Sequence, residues 1–83
     1  MAKRYVYVLR NHDPIPRYYV GVTEDVARRS IDHNDGRCLH TASHRPWQRH
    51  VVIEFSAESP AIAFERYLKS GSGRAFARRH FAC

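Results

Sequence analysis

Two runs of strand-forming residues separated by a proline-containing loop set the first constraint on this chain. Tyr5 to Leu9 and Tyr18 to Thr23 are rich in aromatic and β-branched residues, which favour a pleated, half-buried backbone. The intervening Arg10 to Arg17 carries Asn11, Asp13, Pro14 and Pro16, turn chemistry that closes an antiparallel hairpin through a loop longer than two residues. Side chains alternate along a strand, so Tyr5, Tyr7 and Leu9 share one face and Val6 and Val8 the other. In the second run Tyr19 and Gly21 oppose Tyr18, Val20 and Val22. Each strand therefore offers a tyrosine to one shared face.

Beyond the hairpin, Thr23 reads as a helix N-cap, with Glu24 and Asp25 placing negative charge where the helix dipole favours it. The helix is expected to run to about Asn34, where Asn34-Asp35-Gly36 stops it. The stretch onward to Trp47 has no clear period, and Pro46 forbids an ordinary helix interior, so it reads as mostly loop. His50 to Phe55 gives a third strand built on Val51, Val52 and Ile53. Ser59-Pro60 then reads as a cap and first-turn proline for a second helix running to Lys69. Gly71-Ser72-Gly73 breaks that helix, and Arg74 to Phe81 forms a short, very basic terminal one. The expected order is β-β-α-β-α-α, an α/β (α+β) chain with no internal repeat.

The 83 residues suffice for one domain, residues 1–83, and no more. Fourteen Lys and Arg against eight Asp and Glu leave a formal charge of +6. That balance suits a polyanionic partner such as nucleic acid, and it equally suits a basic surface that only keeps a small protein soluble. After the charges of Lys3 and Arg4 only five uncharged residues follow before Arg10. This is too short for a signal peptide or a membrane span, so no membrane partner is expected. Cys38 and Cys83 make neither a disulfide framework nor a zinc-site spacing, which fits a reducing cytoplasm.

Chemistry enters through the helices. Arg29 and His33 lie four residues apart on one face of the first helix, where they can act on one bound group. Arginine grips phosphate bidentately and stays charged, whereas histidine exchanges a proton near neutral pH. The same pair also fits a solvated border of an amphipathic helix. On the second helix Ala61, Phe64 and Leu68 define an inward stripe, widened by Ile62 on the side of Glu65. An ionised carboxylate within that arc needs a positive partner. A magnesium ion that keeps several waters and a structural salt bridge to arginine are both open.

Taken together, Tyr5-Val6-Tyr7, Tyr19-Val20-Gly21 twelve positions after Tyr7, Arg29 eight beyond Gly21, His33 four later and Glu65 downstream resemble the GIY-YIG nucleases. His33-Asn34, Gly36, Thr41, Arg45-Pro46-Trp47 and Glu65 through Gly71 are similar to the short single-domain branch of that superfamily. That branch also resembles the nuclease subunit of structure-selective junction endonucleases. The resemblance implies a small three-stranded antiparallel sheet flanked by helices, with Tyr7, Tyr19, Arg29, His33 and Glu65 on one concave surface. It implies a DNA endonuclease in which Tyr7 is the general base, alone or relaying to His33. Arg29 holds the scissile phosphate, Tyr19 orients water or phosphate, and Glu65 holds one divalent ion, Mg2+ or Mn2+. Because a free tyrosine has a pKa of about 10, such a base needs Arg29, the metal or His33 to stabilise its phenolate.

Several features depart from the pattern or lie outside it. Tyr5-Val6 stands where the family name has Gly-Ile, and Val22 stands where some members carry lysine. The polar residue that some members place near the carboxyl terminus to complete the site has no evident counterpart in this sequence. His40, Thr41 and Arg45 in the loop, with His44, and Arg74 and Arg78 in the terminal helix, are candidate contacts to nucleic acid. Trp47 fits either an unpaired base or the core. A binder that does not cut, using Arg74, Arg78 and Arg79, is the alternative function. A nuclease subunit of a larger repair complex, with a protein partner or a second copy, is a further one.

Overall fold

A computed structural model describes residues 3–83; Met1 and Ala2, part of the amino-terminal segment read above, lie outside the described residues. The chain runs through β1 (Arg4–Asn11), β2 (Tyr18–Thr23), α1 (Val26–Asn34), a 3-10 turn (Ala42–His44), β3 (Trp47–Phe55), α2 (Glu58–Leu68) and α3 (Gly71–His80). The strands form one antiparallel sheet in the order β2-β1-β3, so β2 is an edge and β1 the middle strand. The α+β class, the antiparallel sheet and the order of strands and helices are as expected. No described helix is long and apolar enough to cross a membrane.

Strand alternation divides the core between the two faces of the sheet. Val6 and Val8 pack with Val20, Val22 and Val51 beneath Ala61, Phe64 and Leu68 of α2, and Phe76 and Ala77 of α3 close this layer. Each Val or Leu removed from water there contributes on the order of 1.5–3 kcal/mol. On the opposite face Tyr7 and Leu9 pack with Tyr19 and Trp47, and α1 lies over this side against β3. In the register Tyr7 stands opposite Gly21 of β2 and Val52 of β3.

Capping explains where the helices depart from expectation. The N-cap of α1 is Asp25, not Thr23: the Asp25 carboxylate accepts from the Arg28 N–H at 3.0 Å. Thr23 instead accepts the Asp25 N–H at 3.1 Å, turning the chain from strand into helix. α2 begins after Ala57, which makes no side-chain cap, so Ser59 and Pro60 fall inside its first turn. There the missing proline N–H has no helical partner to lose. Gly71-Ser72-Gly73, read as a break, is the first turn of α3, and the Ser70 side chain caps it by accepting from the Gly73 N–H at 3.1 Å. Glycine at 73 is a packing requirement, since a Cβ would collide with the Tyr67 carbonyl of α2.

β3 starts three residues before the expected His50 because Asn34 begins its pairing. The Asn34 side chain accepts from the Trp47 N–H at 2.7 Å and donates to the Trp47 carbonyl at 2.9 Å. The end of α1 is thereby fastened to the start of β3.

Candidate active site

Tyr7 sits in the middle strand, 1% exposed, with its hydroxyl 2.9 Å from His33 Nε2. Alternation along β1 aims the ring towards α1, and Gly21 opposite leaves the space it fills. A Cβ at Gly21 would run into the Tyr7 ring and hydroxyl.

Two further hydrogen bonds extend the chain. His33 is 0% exposed, and its Nδ1 lies 2.7 Å from Thr41 Oγ1. Thr41 Oγ1 donates to the Cys38 carbonyl at 3.4 Å. In the tautomer protonated at Nδ1 the ring donates to the Thr41 hydroxyl, whose own proton is directed at the Cys38 carbonyl. Nε2 of the neutral ring is then an acceptor, and Tyr7 donates into it. Trp47 secures the far end, its Nε1 donating to the Thr41 carbonyl at 2.9 Å. Trp47 is therefore a core residue rather than a platform for a base.

Around this chain stand the other expected residues. The Tyr19 ring centre is 4.8 Å from that of His33 and 6.4 Å from that of Tyr7. Arg29, one helical turn before His33, brings its guanidinium to the Tyr7 hydroxyl and lies 3.7 Å from Asp32. Asp32 also pairs with Arg37 at 3.3 Å. Glu65 approaches from α2, its carboxylate close enough for its charge to act on Tyr19. The structure thus groups Tyr7, Tyr19, Arg29, His33 and Glu65 around the β1–β2 hairpin.

Burial and charge set the protonation states. Burial raises the Tyr7 pKa above its ordinary value, against the opposing pull of Arg29, so the free site holds a neutral phenol. Tyr19 is raised too, by burial first and then by the neighbouring Cys38. His33 is lowered, by burial and then by the Arg29 charge, which keeps the imidazole neutral near pH 7 and able to accept a proton. Contact with Tyr7 raises Arg29 further, so it remains a fixed cation.

Glu65 is the carboxylate available to a metal. Its side chain is 13% exposed, and Lys69, one turn on, pairs closely with it. No group of three or more His, Cys, Asp or Glu is placed to hold a metal ion among the described residues. This donor set fits a hard divalent ion that keeps most of its water and takes one protein carboxylate. The Lys69 ammonium offsets the cost of holding a carboxylate against the apolar arc of α2.

The loop candidates divide. Thr41 is corrected: at 0% exposure it cannot contact nucleic acid, and its hydroxyl is turned inward to His33. His40 and Arg45 are exposed. Arg45 Nε donates to the Ala42 carbonyl at 2.7 Å and its guanidinium lies over Gly36, so it holds the loop closed. Arg74 and Arg78 are exposed on α3. The sequence weighed Cys38 only for a disulfide or zinc-site spacing and not as part of the site. Burial raises its thiol pKa, but contacts from Thr41, the His40 backbone and Tyr19, with the charge of Arg29, outweigh this and leave it lowered. Asp32, which steadies Arg29, was passed over. Neither position carries a motif, because a loop cysteine and a helical Asp gain their meaning only from the fold.

The model of the GIY-YIG catalytic domain matches residues 3–79. The chain belongs to the GIY-YIG family. This family is one of nucleases, and its members generally use a divalent metal ion, so nuclease activity and a nucleic-acid substrate are what the fold implies in general terms. Similar proteins include a UPF0213 protein of Listeria welshimeri, 38% identical over 73 residues that cover 83% of this chain and 79% of the relative. A UPF0213 protein of Listeria monocytogenes serotype 4b is 36% identical over 69 residues, covering 82% and 75%. One from Listeria innocua is 38% identical over 73 residues, covering 83% and 79%. These relatives form a small single-domain GIY-YIG family, which is the branch the sequence resembles. No solved structure matches the chain at a significant level.

Proposed function

We propose that this GIY-YIG domain is a metal-dependent endonuclease that hydrolyses phosphodiester bonds in DNA, with Tyr7 as general base. The observation that carries the reading is the buried chain Tyr7–His33–Thr41, which relays a proton away from Tyr7 when Nδ1 carries the imidazole proton. As water attacks phosphorus, its proton passes to the Tyr7 oxygen while the Tyr7 proton passes to His33 Nε2. Tyrosine therefore never has to hold a full negative charge in a site that raises its pKa. The imidazolium formed keeps its Nδ1–H donated to Thr41. Arg29 faces the phosphate oxygens and matches the charge that builds on them. Tyr19, beside His33, orients the water or the phosphate.

Glu65 would hold a divalent ion, Mg2+ or Mn2+, which would supply Lewis-acid neutralisation of charge on the phosphate and the leaving 3′ oxygen. Two free cysteines suit a reducing cytoplasm.

The test is incubation with labelled single-stranded, duplex and branched DNA in Mg2+, in Mn2+ and in chelator. Nicking is expected with metal and not with chelator, and Glu65→Gln is expected to abolish it while DNA binding persists. Binding without metal-dependent cleavage in any substrate would favour a non-catalytic binding module.

A further inference from the structure

We propose that a groove on the other side of the β2 edge seats an unpaired nucleotide of the DNA strand being cut. The inference rests on the nuclease reading and names the kind of substrate its site would take. The groove encloses about 490 Å³ between β2 and the helical layer, a volume within the usual range of small-molecule sites. Tyr18, Val20 and Ala77 give it an apolar lining, while Lys69, Arg74 and Arg78 stand in its wall. No acidic residue lines it among the described residues. The combination matches a nucleotide, which presents a flat apolar base beside an anionic phosphate.

Two features point to a strand rather than an isolated anion. Arg74 and Arg78 are one helical turn apart on α3, with about 5–6 Å between Cβ positions, a separation comparable to that of adjacent phosphates on a flexible single strand. Neither makes an ion pair among the described residues, so both guanidinium groups are available. Continuity with the candidate active site is the second feature. Tyr19 lines the groove and also touches the Tyr7–His33 cluster. Lys69 lines the groove and pairs with Glu65. A strand crossing the β2 edge therefore passes from the groove directly to the residues that would cut it. A base paired in a duplex cannot enter, so the geometry selects single-stranded or frayed DNA over intact duplex.

The experiment measures binding in chelator, where no cleavage occurs, using an oligonucleotide that carries 2-aminopurine at successive positions. Binding of the single strand is expected to be at least tenfold tighter than that of a blunt duplex of the same sequence. Quenching is expected at one position, by stacking on Tyr18, and Tyr18→Leu is expected to remove it. The exposed double variant Arg74→Ala/Arg78→Ala is expected to weaken single-strand binding and to reduce the slope of log affinity against log salt by about 1.4, from about 0.7 per phosphate contact on single strands. Equal affinity for single strand and duplex without local quenching, or a double variant that matches the parent in affinity and salt slope, would overturn the groove assignment. If metal-dependent cleavage survives those failures, the nuclease reading stands and only the groove is lost. Groove binding without metal-dependent cleavage would overturn the nuclease reading instead.

Discussion

At the scale of single residues, the direction of one hydroxyl decides what His33 can do. Where Thr41 accepts from the His33 Nδ1–H, Nε2 is left to receive from Tyr7. Thr41→Val keeps the shape but leaves the His33 Nδ1–H unmatched, at a cost of about 1–3 kcal/mol in a denaturant melt. Cleavage is expected to fall by more than the melt accounts for, and Thr41→Ser to restore it. The lowered pKa of His33 carries a second expectation. Below the ordinary histidine pKa of about 6.5 the unfolded chain takes up a proton that the folded His33 refuses. The His33 contribution is therefore full above about pH 6.5 and is lost as pH falls from there to its depressed folded value. Denaturation against pH checks this, and His33→Gln should flatten that part of the curve. Tyr7, Tyr19, Arg29, His33 and Glu65 were legible in the sequence because their order and spacing match a family pattern. Thr41 was picked out for contact with nucleic acid although its hydroxyl faces His33, and Cys38 only as a free thiol, because a loop without a period does not disclose which way its side chains point.

Elements convert those residues into a site through register. β1 and β2 are paired so that Tyr7 meets Gly21, and the ring occupies the place of the missing side chain. Gly21→Ala should force the Tyr7 ring off His33. An overpacking cost of about 1–3 kcal/mol is expected in a melt, with a disproportionate loss of cleavage. Wild-type activity in that variant would show that the close approach is incidental. The hairpin faces could be read directly because alternation is a local rule. The start of β3 could not, since Gln48 and Arg49 look like loop residues and their strand is begun by an asparagine thirteen positions upstream. Gly71-Ser72-Gly73 misled for a related reason. Poor intrinsic helix formers are accepted in the first turn of α3 because Ser70 caps it and only glycine fits against α2 at 73.

Across the whole molecule, the sheet separates two tasks. One face, with α2 and α3, holds the aliphatic core, and the other, with α1, holds the polar chain from Tyr7 to Thr41. The net charge of +6 gains a location as well, since Arg74 and Arg78 stand beside the edge strand that joins the two faces. Composition could only say that a polyanion would suit the chain. The most direct test of the central claim is single-turnover cleavage of a bound, labelled DNA strand by Tyr7→Phe beside the parent protein, with affinity measured in chelator. The expected result is unchanged affinity and a cleavage rate lower by about 10²–10⁴-fold, the usual contribution of a positioned base. Cleavage by Tyr7→Phe within a few-fold of the parent would contradict Tyr7 as the base and the relay built on it.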